Sequence, residues 1–416
     1  MSAQMQARLG PAPATGAAQR LRILHVVPTY YPAVRYGGPI RSVHGLATAL
    51  AGRGHDVHVY TSSMDGDADL DVPLDRPVCL DGVSVHYFPV PALRRLCWAP
   101  RLARTLRADI GGFDILHLHS VFLWPTAAAA RIAARAGVPY VLAPRGMLVG
   151  EMIRRRSRWI KTAWIGLIEH RSLAAAAAVH VTAQLEAEEL RKLGLPLPPI
   201  ECIPNGVEYP AGTASGATPH EAETTLPARY ALFLSRISWK KGLDRLISAW
   251  QQVPELPLVI AGNDDEGYRP QLEALARELG VAGRVLFLGP VADDRKWAIY
   301  RDAALFLLPS YSENFGNVVA EAMAMGCPVV VTPEVGIAAL VAEAGAGVVC
   351  GNEPAQLAAA ISGLLADERR RQDCGRRGRE LVRTRLSWDG LAAQAEDLYR
   401  NILVRTSEPA ASGRLM

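Results

Sequence analysis

Short apolar runs alternate with helical patterns along most of the chain. In the first half the runs are LRILHVV at 21–27, DVHVYTS at 56–62, VSVHYFPV at 83–90, DILHLHS at 114–120, PYVLAP at 139–144 and AVHVT at 178–182. Short runs of this kind, bounded by turn residues, are typical of strands buried on both faces of a sheet. Between the first two runs, Ile40, Val43, Ala47 and Leu50 recur at helical spacing. Strands that alternate with helices predict βαβ units and a parallel sheet.

The same alternation returns in the second half, with ALFLSR, LPLVIAG, VLFLGP, ALFLLPS, CPVVVT and AGVVCG as its apolar runs. Between the two series lies PAGTASGATPHEAETTLP, which is rich in Gly, Pro, Ser and Thr and has no periodicity, as expected of a linker. We therefore predict an α/β protein with two doubly wound domains. The predicted divisions are a tail at 1–20, an N-terminal domain at 21–209, a linker at 210–228, a C-terminal domain at 229–386, a final helix at 387–405 and a tail at 406–416.

Composition excludes several classes of protein. Half of the residues are apolar and 21% are charged, which is ordinary for a soluble globular protein. The six cysteines form no CxxC pair and no zinc-ligand spacing, so we expect reduced thiols and a cytoplasmic location. A net charge of +4 gives no reason to expect nucleic acid as a partner. We find neither a signal peptide in the first 20 residues nor an apolar stretch long enough to span a bilayer.

The most informative segment is SENFGNVVAEAMAMGCPVVVT at 312–332. A strand leads into a loop and the loop into a helix that we expect to begin near Asn317. Gly316 allows close approach of the backbone to a ligand, and the helix start offers unpaired N–H groups to an anion. Glu313 and Glu321 lie on either side of this point. A dipole partner or helix cap is the simpler interpretation of Glu321, but it does not explain Glu313 and Gly316.

A pair of cations follows the first strand of the second series. Arg236 comes directly after the strand, and Lys241 precedes Gly242 and a helix. The chain has only five lysines, at 161, 192, 240, 241 and 296, so two adjacent lysines indicate a site for a compact ammonium. At the carboxyl end of a strand, a guanidinium and an ammonium suit a diphosphate. A solvated, charged turn is the alternative.

Three other patterns are less specific. Gly37 and Gly38 after the first strand allow close backbone approach, although they are also ordinary turn residues. His117 and His119 share one strand face, and His119 at the carboxyl end favours a cleft role over core packing or metal binding. The acidic stretch 64–75 contains Asp-x-Asp but lacks the remaining ligands of a calcium loop, so we interpret it as a solvated loop. We expect no metal and no other cofactor.

Together these motifs resemble the retaining glycosyltransferases of family 4, which have the GT-B fold, and especially the bacterial members that build exopolysaccharide or surface polysaccharide. The resemblance covers about residues 21–405 and rests on five motifs in the family's order. They are DILHLH, APRGML at 143–148, IPNGV at 203–207, the segment from Arg236 to Gly242, and the two glutamates Glu313 and Glu321 with seven residues between them. The resemblance implies that the two domains face each other across a cleft.

The resemblance also implies roles for individual residues. Arg236 and Lys241 would neutralise the donor diphosphate, with the backbone of Gly316, Asn317 and Val318. Glu321 would bind the ribose, Glu313 the donor sugar, and the turn from Gly289 to Val291 the base. His119 would lie over the reacting sugar, and with Glu313, Arg236 and Lys241 would form the catalytic set. The donor site would further include Gly37, Gly38, Asn314 and Phe315, and Tyr36 and Arg145 would lie on the acceptor side. Asn314 replaces a frequent glycine and is a candidate for tuning sugar choice.

The implied reaction moves a hexose from a UDP- or GDP-linked sugar to a glycan acceptor, such as a polyprenyl-diphosphate-linked intermediate, without a metal and with retention of configuration. Two rival functions are a nucleotide-sugar epimerase of the same fold and a non-enzymatic nucleotide- or dinucleotide-binding protein. The absence of a GxGxxG motif disfavours the dinucleotide-binding rival.

Two basic, tryptophan-bearing segments, 93–109 and 151–167, are typical of helices that lie on an anionic membrane surface. They suggest peripheral attachment to the inner face of the cell membrane. The alternative is that each is a solvated helix whose tryptophans belong to the core.

Overall fold

The computed structural model of the chain describes residues 19–33, 37–150, 158–208 and 226–407. Most of the predicted linker and of both tails therefore lies outside the described residues. Strands occur at the predicted places because each apolar run is short, rich in β-branched residues and ended by turn residues.

In the first half the strands are β1 Arg22–Val26, β2 Asp56–Ser62, β3 Met64–Asp65, β4 Ala68–Asp69, β5 Val78–Leu80, β6 Val83–Phe88, β7 Ile115–His119, β8 Tyr140–Ala143, β9 Ala178–Val181 and β10 Ile200–Cys202. The helices are α1 Gly38–Gly52, α2 Pro100–Asp109, α3 Trp124–Ala136, α4 Arg158–Trp164, α5 His170–Ala174 and α6 Gln184–Arg191.

In the second half the strands are β11 Ala231–Leu234, β12 Leu258–Ala261, β13 Val285–Gly289, β14 Leu305–Leu308, β15 Val329–Val331 and β16 Gly347–Val349. The helices are α7 Leu243–Ala249, α8 Arg269–Glu278, α9 Asp293–Asp302, α10 Asn317–Ala324, α11 Ala338–Ala344, α12 Pro354–Ala366, α13 Glu368–Arg385 and α14 Trp388–Ser407.

The strands form two large sheets, one in each half of the chain. The first has the order β10-β9-β8-β7-β1-β2-β6-β5 and the second β13-β12-β11-β14-β15-β16. Within the described residues, neighbouring strands run parallel in both sheets, except that β5 runs antiparallel to β6. The predicted fold class, an α/β protein with two doubly wound sheets, is therefore confirmed.

Strand order reverses once in each sheet, between β1 and β7 and between β11 and β14. In open α/β sheets a ligand binds beyond the carboxyl ends of the strands at such a reversal. His119 is the last residue of β7, the Arg236 segment follows β11, and the Glu313 loop follows β14. The topology thus brings the chemically informative motifs to the two sheet edges that can hold a ligand.

The last helix crosses back to the first half of the chain. Leu391, Ala395, Tyr399 and Ile402 pack into the same core as Ile23 of β1. Trp388 at the helix start lies against two backbone segments of the first half, where a Cβ on Gly45 or Gly206 would come within 2.3 and 2.4 Å of its ring. Glycine is required at both positions because any side chain would displace the indole.

Two segments differ from the sequence-based expectation. The acidic stretch 64–75 is partly ordered as the antiparallel pair β3–β4, and its Asp69 bonds Arg94 at 2.9 Å. The segment 93–109 is not one continuous helix, because a short 3₁₀ turn at Arg94–Leu96 precedes α2. Leu102 and Leu106 of α2 are buried in the core, while its arginines face outward.

Candidate active site

A cleft of about 660 Å³ lies between the carboxyl ends of the two sheets. One wall comes from the N-terminal half and includes Gly37, Gly38, Arg41, Arg145, Asn205 and Glu208. The other comes from the C-terminal half and includes Arg236, Lys241, Val291, Lys296, Glu313, Asn314, Phe315, Gly316, Asn317, Val318 and Glu321. We call these two sets the N-terminal wall and the C-terminal wall.

The cations expected on the C-terminal wall are both present. Arg236 is exposed and lines the cleft. Lys241 ends a 3₁₀ turn and is followed by Gly242 with φ 67°, where an added Cβ would lie 2.0 Å from the Pro309 carbonyl oxygen. Only glycine fits there, so the backbone fixes where Lys241 points. Its ammonium forms an ion pair with the Glu313 carboxylate.

Helix α10 begins at Asn317, as the sequence predicts. Gly316 precedes it with φ 97°, and an added Cβ would lie 2.9 Å from Val335 Cγ1. The first N–H groups of a helix lack partners within the helix and carry its positive dipole end, so this point of the wall suits an anion.

Glu321, one turn into α10, is held by two residues of α9. Lys296 Nζ lies 2.8 Å from one carboxylate oxygen, and the Tyr300 hydroxyl donates to the other at 3.0 Å. Burial, and then the charge of Glu321, raise the pKa of Tyr300 well above its usual value. Sequence reasoning did not assign Lys296 or Tyr300 to the site, although Lys296 is one of only five lysines and Tyr300 follows it by one helical turn.

Side-chain amides join the two walls. Asn205 Nδ2 donates to Asn317 Oδ1 at 2.9 Å, and Asn317 Nδ2 lies 3.4 Å from the Gly38 carbonyl oxygen. A Cβ on Gly38 would lie 2.9 Å from that amide nitrogen, so glycine permits the contact. Asn314, expected to tune sugar choice, donates to Thr182 Oγ1 across the domain boundary at 2.9 Å. The described conformation therefore has the two halves in direct contact.

Arg145 extends from the end of β8 into the N-terminal wall. Its Nη2 and Nε lie 3.1 and 3.4 Å from His119 Nδ1, and its Nη1 donates to Asn205 Oδ1 at 3.1 Å. Burial lowers its pKa to about 10, so the guanidinium remains charged at neutral pH. Its backbone has φ 56°, an unusual value for a residue other than glycine.

Behind Arg145 lies a cluster of four buried histidines, which we call the histidine cluster: His25, His117, His119 and His180. His25 Nδ1 lies 2.9 Å from His119 Nε2, and His180 Nδ1 lies 3.1 Å from His117 Nε2. The Tyr399 hydroxyl of α14 lies 2.7 Å from His117 Nδ1. Burial lowers the pKa of each ring, to about 3 for His25 and His180 and well below the usual value for the other two.

The structure does not bring His119 to the surface of the cleft. The residue is 1% exposed and is not among the residues that line the cleft, whereas Arg145, which it contacts, is. Its expected position over the reacting sugar stays a prediction that this placement does not support. The sequence could not show the difference, because the side chain that covers His119 comes from another strand.

The remaining predicted residues divide into three groups. Gly37, Gly38, Val291, Asn314, Phe315 and Val318 line the cleft. Gly289 is not among the lining residues, and its carbonyl accepts from Gly262 N at 2.8 Å. Tyr36 lies outside the described residues.

Three of the clustered histidines could in principle hold a metal ion. One nitrogen each of His25, His117 and His119 lies within 4.8 Å of the others. The sequence interpretation found no third ligand because His25 lies on a different strand. Hydrogen bonds already occupy most of these nitrogens, so the absence of a metal remains our expectation.

Within the described ranges, no helix is long and apolar enough to cross a membrane.

Comparison with known proteins agrees with the geometry. The family model "Glycosyl transferase 4-like domain" matches residues 37–206, and "Glycosyl transferases group 1" matches residues 220–381. A D-inositol 3-phosphate glycosyltransferase from Xylanimonas cellulosilytica is 31% identical over 403 residues, covering 87% of this chain and 91% of that protein. Another with that name, from Acidothermus cellulolyticus, is 30% identical and covers 94% of this chain and 92% of its own length.

Solved structures match over nearly the whole chain. Sucrose-phosphate synthase from Thermosynechococcus elongatus has a TM-score of 0.73 at 23% identity and covers 93% of this chain and 100% of its own. Anabaena HepE in complex with UDP and glucose has a TM-score of 0.68 at 20% identity and covers 92% of this chain and 100% of its own. At these identities the likeness shows the fold, which is GT-B. With the family models and the curated relatives, it establishes that the chain belongs to the group 1 glycosyltransferases and is a transferase enzyme.

Proposed function

We propose that the protein is a retaining hexosyltransferase that uses a UDP- or GDP-linked sugar. The observation that carries this proposal is the C-terminal wall, where Arg236, Lys241 and the start of α10 converge on one side of the cleft. Two cations and a helix start suit the two negative charges of a sugar nucleotide. The complex of a structural neighbour with UDP and glucose gives further support.

The same groups would assist the reaction. Cleavage of the sugar–phosphate bond places negative charge on the leaving diphosphate, and preorganised cations stabilise that charge. Lys241 is already held by Glu313, so its ammonium is in place before substrate arrives. Glu313 would then accept hydrogen bonds from the donor sugar, and Glu321 from the ribose. This arrangement needs no metal ion.

Binding of UDP and GDP to wild type, Arg236→Ala and Lys241→Ala tests the donor site. Each substitution should weaken nucleotide binding by about 1.5–3 kcal/mol, the range for a hydrogen bond to a charged group. Lys192→Ala is a matched control, because that lysine is exposed and is not among the residues that line the cleft. Unchanged affinity in both cleft variants would place the diphosphate elsewhere.

Retention is tested by the anomeric configuration of the product. NMR of the first product formed should show the configuration of the donor sugar. An inverted product would contradict the proposed mechanism.

We further propose that the acceptor is a glycan on a polyprenyl diphosphate, as in exopolysaccharide synthesis, and that the N-terminal half docks on an anionic membrane. Arg101, Arg104 and Arg107 of α2 face outward. Leu93, Trp159 and Leu167 are 63%, 84% and 66% exposed. Exposed apolar side chains beside arginines suit a bilayer interface. The basic run 154–156, part of the same hypothesis, lies outside the described residues.

Sedimentation with vesicles tests the docking. Wild type should bind vesicles rich in phosphatidylserine at low salt and be released as salt rises. Replacing Arg101, Arg104 and Arg107 by Glu should reduce binding, whereas the same change at Arg369, Arg376 and Arg383 of α13 should not. If wild type does not sediment, the membrane proposal fails. Soluble phosphorylated acceptors would then be tested, since the curated relatives are named for inositol 3-phosphate.

A further inference from the structure

We propose that Arg145 is the anion-binding residue of the N-terminal wall, and that His119 positions its guanidinium instead of acting on the sugar itself. The anion is a phosphate-type oxyanion of a substrate. The proposal rests on the proposed function only for the presence of phosphorylated substrates in the cleft.

The first observation is the charge of Arg145. Among the described residues no carboxylate forms an ion pair with its guanidinium, and its contacts are the neutral groups His119 Nδ1 and Asn205 Oδ1. The negative charge of Glu186 is close enough to act on Arg145, but its two oxygens accept from the N–H groups of Gly146 and Thr182. Burial lowers the pKa of this guanidinium, which has no ion-pair partner among the described residues, and an anionic ligand in the cleft would supply one.

The second observation is geometric. Three of the five guanidinium N–H groups are directed at His119 and Asn205, which leaves one on each terminal nitrogen. Two parallel N–H groups are the usual means by which arginine binds a phosphate or carboxylate. Arg145 lines the cleft, and its partner Asn205 is bonded to Asn317 at the start of α10. Arg145 thus lines the same cleft as the anion site of the C-terminal wall, and two of its N–H groups are not used by His119 or Asn205.

The third observation concerns the protons of the histidine cluster. Arginine can only donate, so His119 Nδ1 is the acceptor and its Nε2–H donates to His25 Nδ1. At the other end His180 Nε2–H donates to the Ile203 carbonyl oxygen, so His180 Nδ1 accepts from His117 Nε2–H. Tyr399 then donates to His117 Nδ1. Every ring is neutral and its tautomer is fixed by a neighbour.

His119 therefore has no free nitrogen for a substrate. One of its nitrogens holds Arg145 and the other holds His25, and the side chain is buried. The left-handed backbone of Arg145 is a second sign that this side chain is held in place by its surroundings, as is common at functional sites. His119 is accordingly a positioning residue, and Arg145 is the group that meets the substrate.

The oxyanion could belong to the donor diphosphate or to a phosphate of the acceptor. Calorimetry with Arg145→Met separates the two sources. If the oxyanion belongs to the donor, UDP or GDP should bind Arg145→Met on the order of ten- to a hundredfold more weakly than wild type. If the oxyanion belongs to the acceptor, nucleotide binding should stay unchanged in Arg145→Met. Inorganic phosphate should then bind UDP-saturated wild type and not UDP-saturated Arg145→Met.

Arg145→Lys should retain part of the affinity, and Arg135→Met on the exposed face of α3 is the control. If Arg145→Met binds UDP, GDP and phosphate as wild type does, the proposal is overturned. If wild type binds pyrophosphate through Arg145 but binds neither UDP nor GDP, the proposed function is overturned and the proposal for Arg145 is not.

Two substitutions at one position test the positioning role. Asn places its amide oxygen near the position of His119 Nδ1, so His119→Asn keeps the acceptor for Arg145. His119→Gln instead keeps a group near Nε2, facing His25. The Gln variant should reproduce the loss seen in Arg145→Met, and the Asn variant should stay within about threefold of wild type, a difference of about 0.7 kcal/mol.

Equal losses in the two variants, with melting temperatures equal to each other, would mean that His119 itself contacts the substrate. Should either variant not fold, Asn205→Asp provides a second test. This isosteric change gives Arg145 a carboxylate partner and should weaken the same anion as Arg145→Met does. Unchanged binding in Asn205→Asp would contradict the proposal.

Discussion

The two walls of the cleft hold their polar groups by different means. The C-terminal wall uses ion pairs, Lys241 with Glu313 and Lys296 with Glu321, whose side chains keep some contact with solvent. Behind the N-terminal wall lie neutral, fully buried rings joined by hydrogen bonds, with Arg145 at their end. Burial dominates the energetics of the N-terminal wall, and charge pairing dominates that of the C-terminal wall. The N-terminal wall should therefore respond to pH, and the C-terminal wall to the loss of a charge.

The largest expected effect is acid lability of the N-terminal half. The histidines have a pKa near 6.5 when unfolded, and burial lowers it to about 3 for His25 and His180. Below pH 6.5 the unfolded state therefore binds protons that the folded state does not, so stability is complete above that pH and is lost as pH falls. Between pH 6.5 and 5 each such histidine should cost about 2 kcal/mol.

Hydrogen exchange read by mass spectrometry at pH 7 and pH 5 localises this loss. No histidine occurs after residue 220, so the C-terminal half from 226 to 386 should keep its protection. Strands β1, β7 and β9 should lose protection, together with α14, which packs into their core. Equal loss of protection in both halves would contradict a histidine origin.

The next largest effect separates the two glutamates of the C-terminal wall. Glu321→Gln should weaken binding of UDP or GDP alone by about 1.5–3 kcal/mol, because its expected partner is the ribose. Glu313→Gln should spare nucleotide binding and lower turnover, because its expected partner is the donor sugar. Calorimetry and steady-state kinetics on the same preparations measure both, and the opposite pattern would exchange the two roles.

A smaller effect is expected for Tyr399→Phe. The change removes the donor to His117 Nδ1 and leaves a buried acceptor without a partner, which should cost about 1–2 kcal/mol of stability. Tyr230→Phe is the matched change in the C-terminal half, where the hydroxyl donates to the Ile299 carbonyl oxygen. Urea denaturation measures both. Tyr399→Phe should also leave UDP affinity unchanged, and a loss of nucleotide binding would show that the cluster shapes the donor site.

The smallest effect is expected for chelation. EDTA should change neither activity nor melting temperature, because hydrogen bonds already occupy most of the nitrogens of His25, His117 and His119. A loss of activity restored by Mg²⁺ or Mn²⁺ would direct attention to the acidic stretch 64–75. A fall in melting temperature restored by Zn²⁺ would indicate His25, His117 and His119.

The features that could be predicted from the sequence are those that depend on residues close together in the chain. The strand before Arg236, the helix start at Asn317 and the apolar stripe of α14 follow from short-range patterns, and the structure has them at or within a few residues of the expected places. Parallel sheets follow from the alternation of strands and helices. The antiparallel β5 was not predicted, since its three residues carry no alternating pattern.

The parts that the sequence did not predict depend on contacts between distant segments. Nothing near His119 shows that Arg145 and His25 close over both of its nitrogens. The role of Asn314 in bonding Thr182 depends on how the two halves meet. Lys296 is an exception, because its rarity and its spacing from Tyr300 were visible signals. Spacing along the sequence identifies which residues share a face of a helix or strand. Which of them are buried, and which side chains they contact, can be known only from the fold.

The return of α14 to the first half has a consequence for synthesis on the ribosome. Leu391, Ala395, Tyr399 and Ile402 complete the core around β1, yet they are translated after every strand of both sheets. The C-terminal sheet has all its strands by residue 349 and can form first. The N-terminal half, although made earlier, must wait with part of its apolar surface uncovered. This order reverses the usual one, in which the first domain made is the first to fold. It also leaves that surface accessible to chaperones until α14 has been translated.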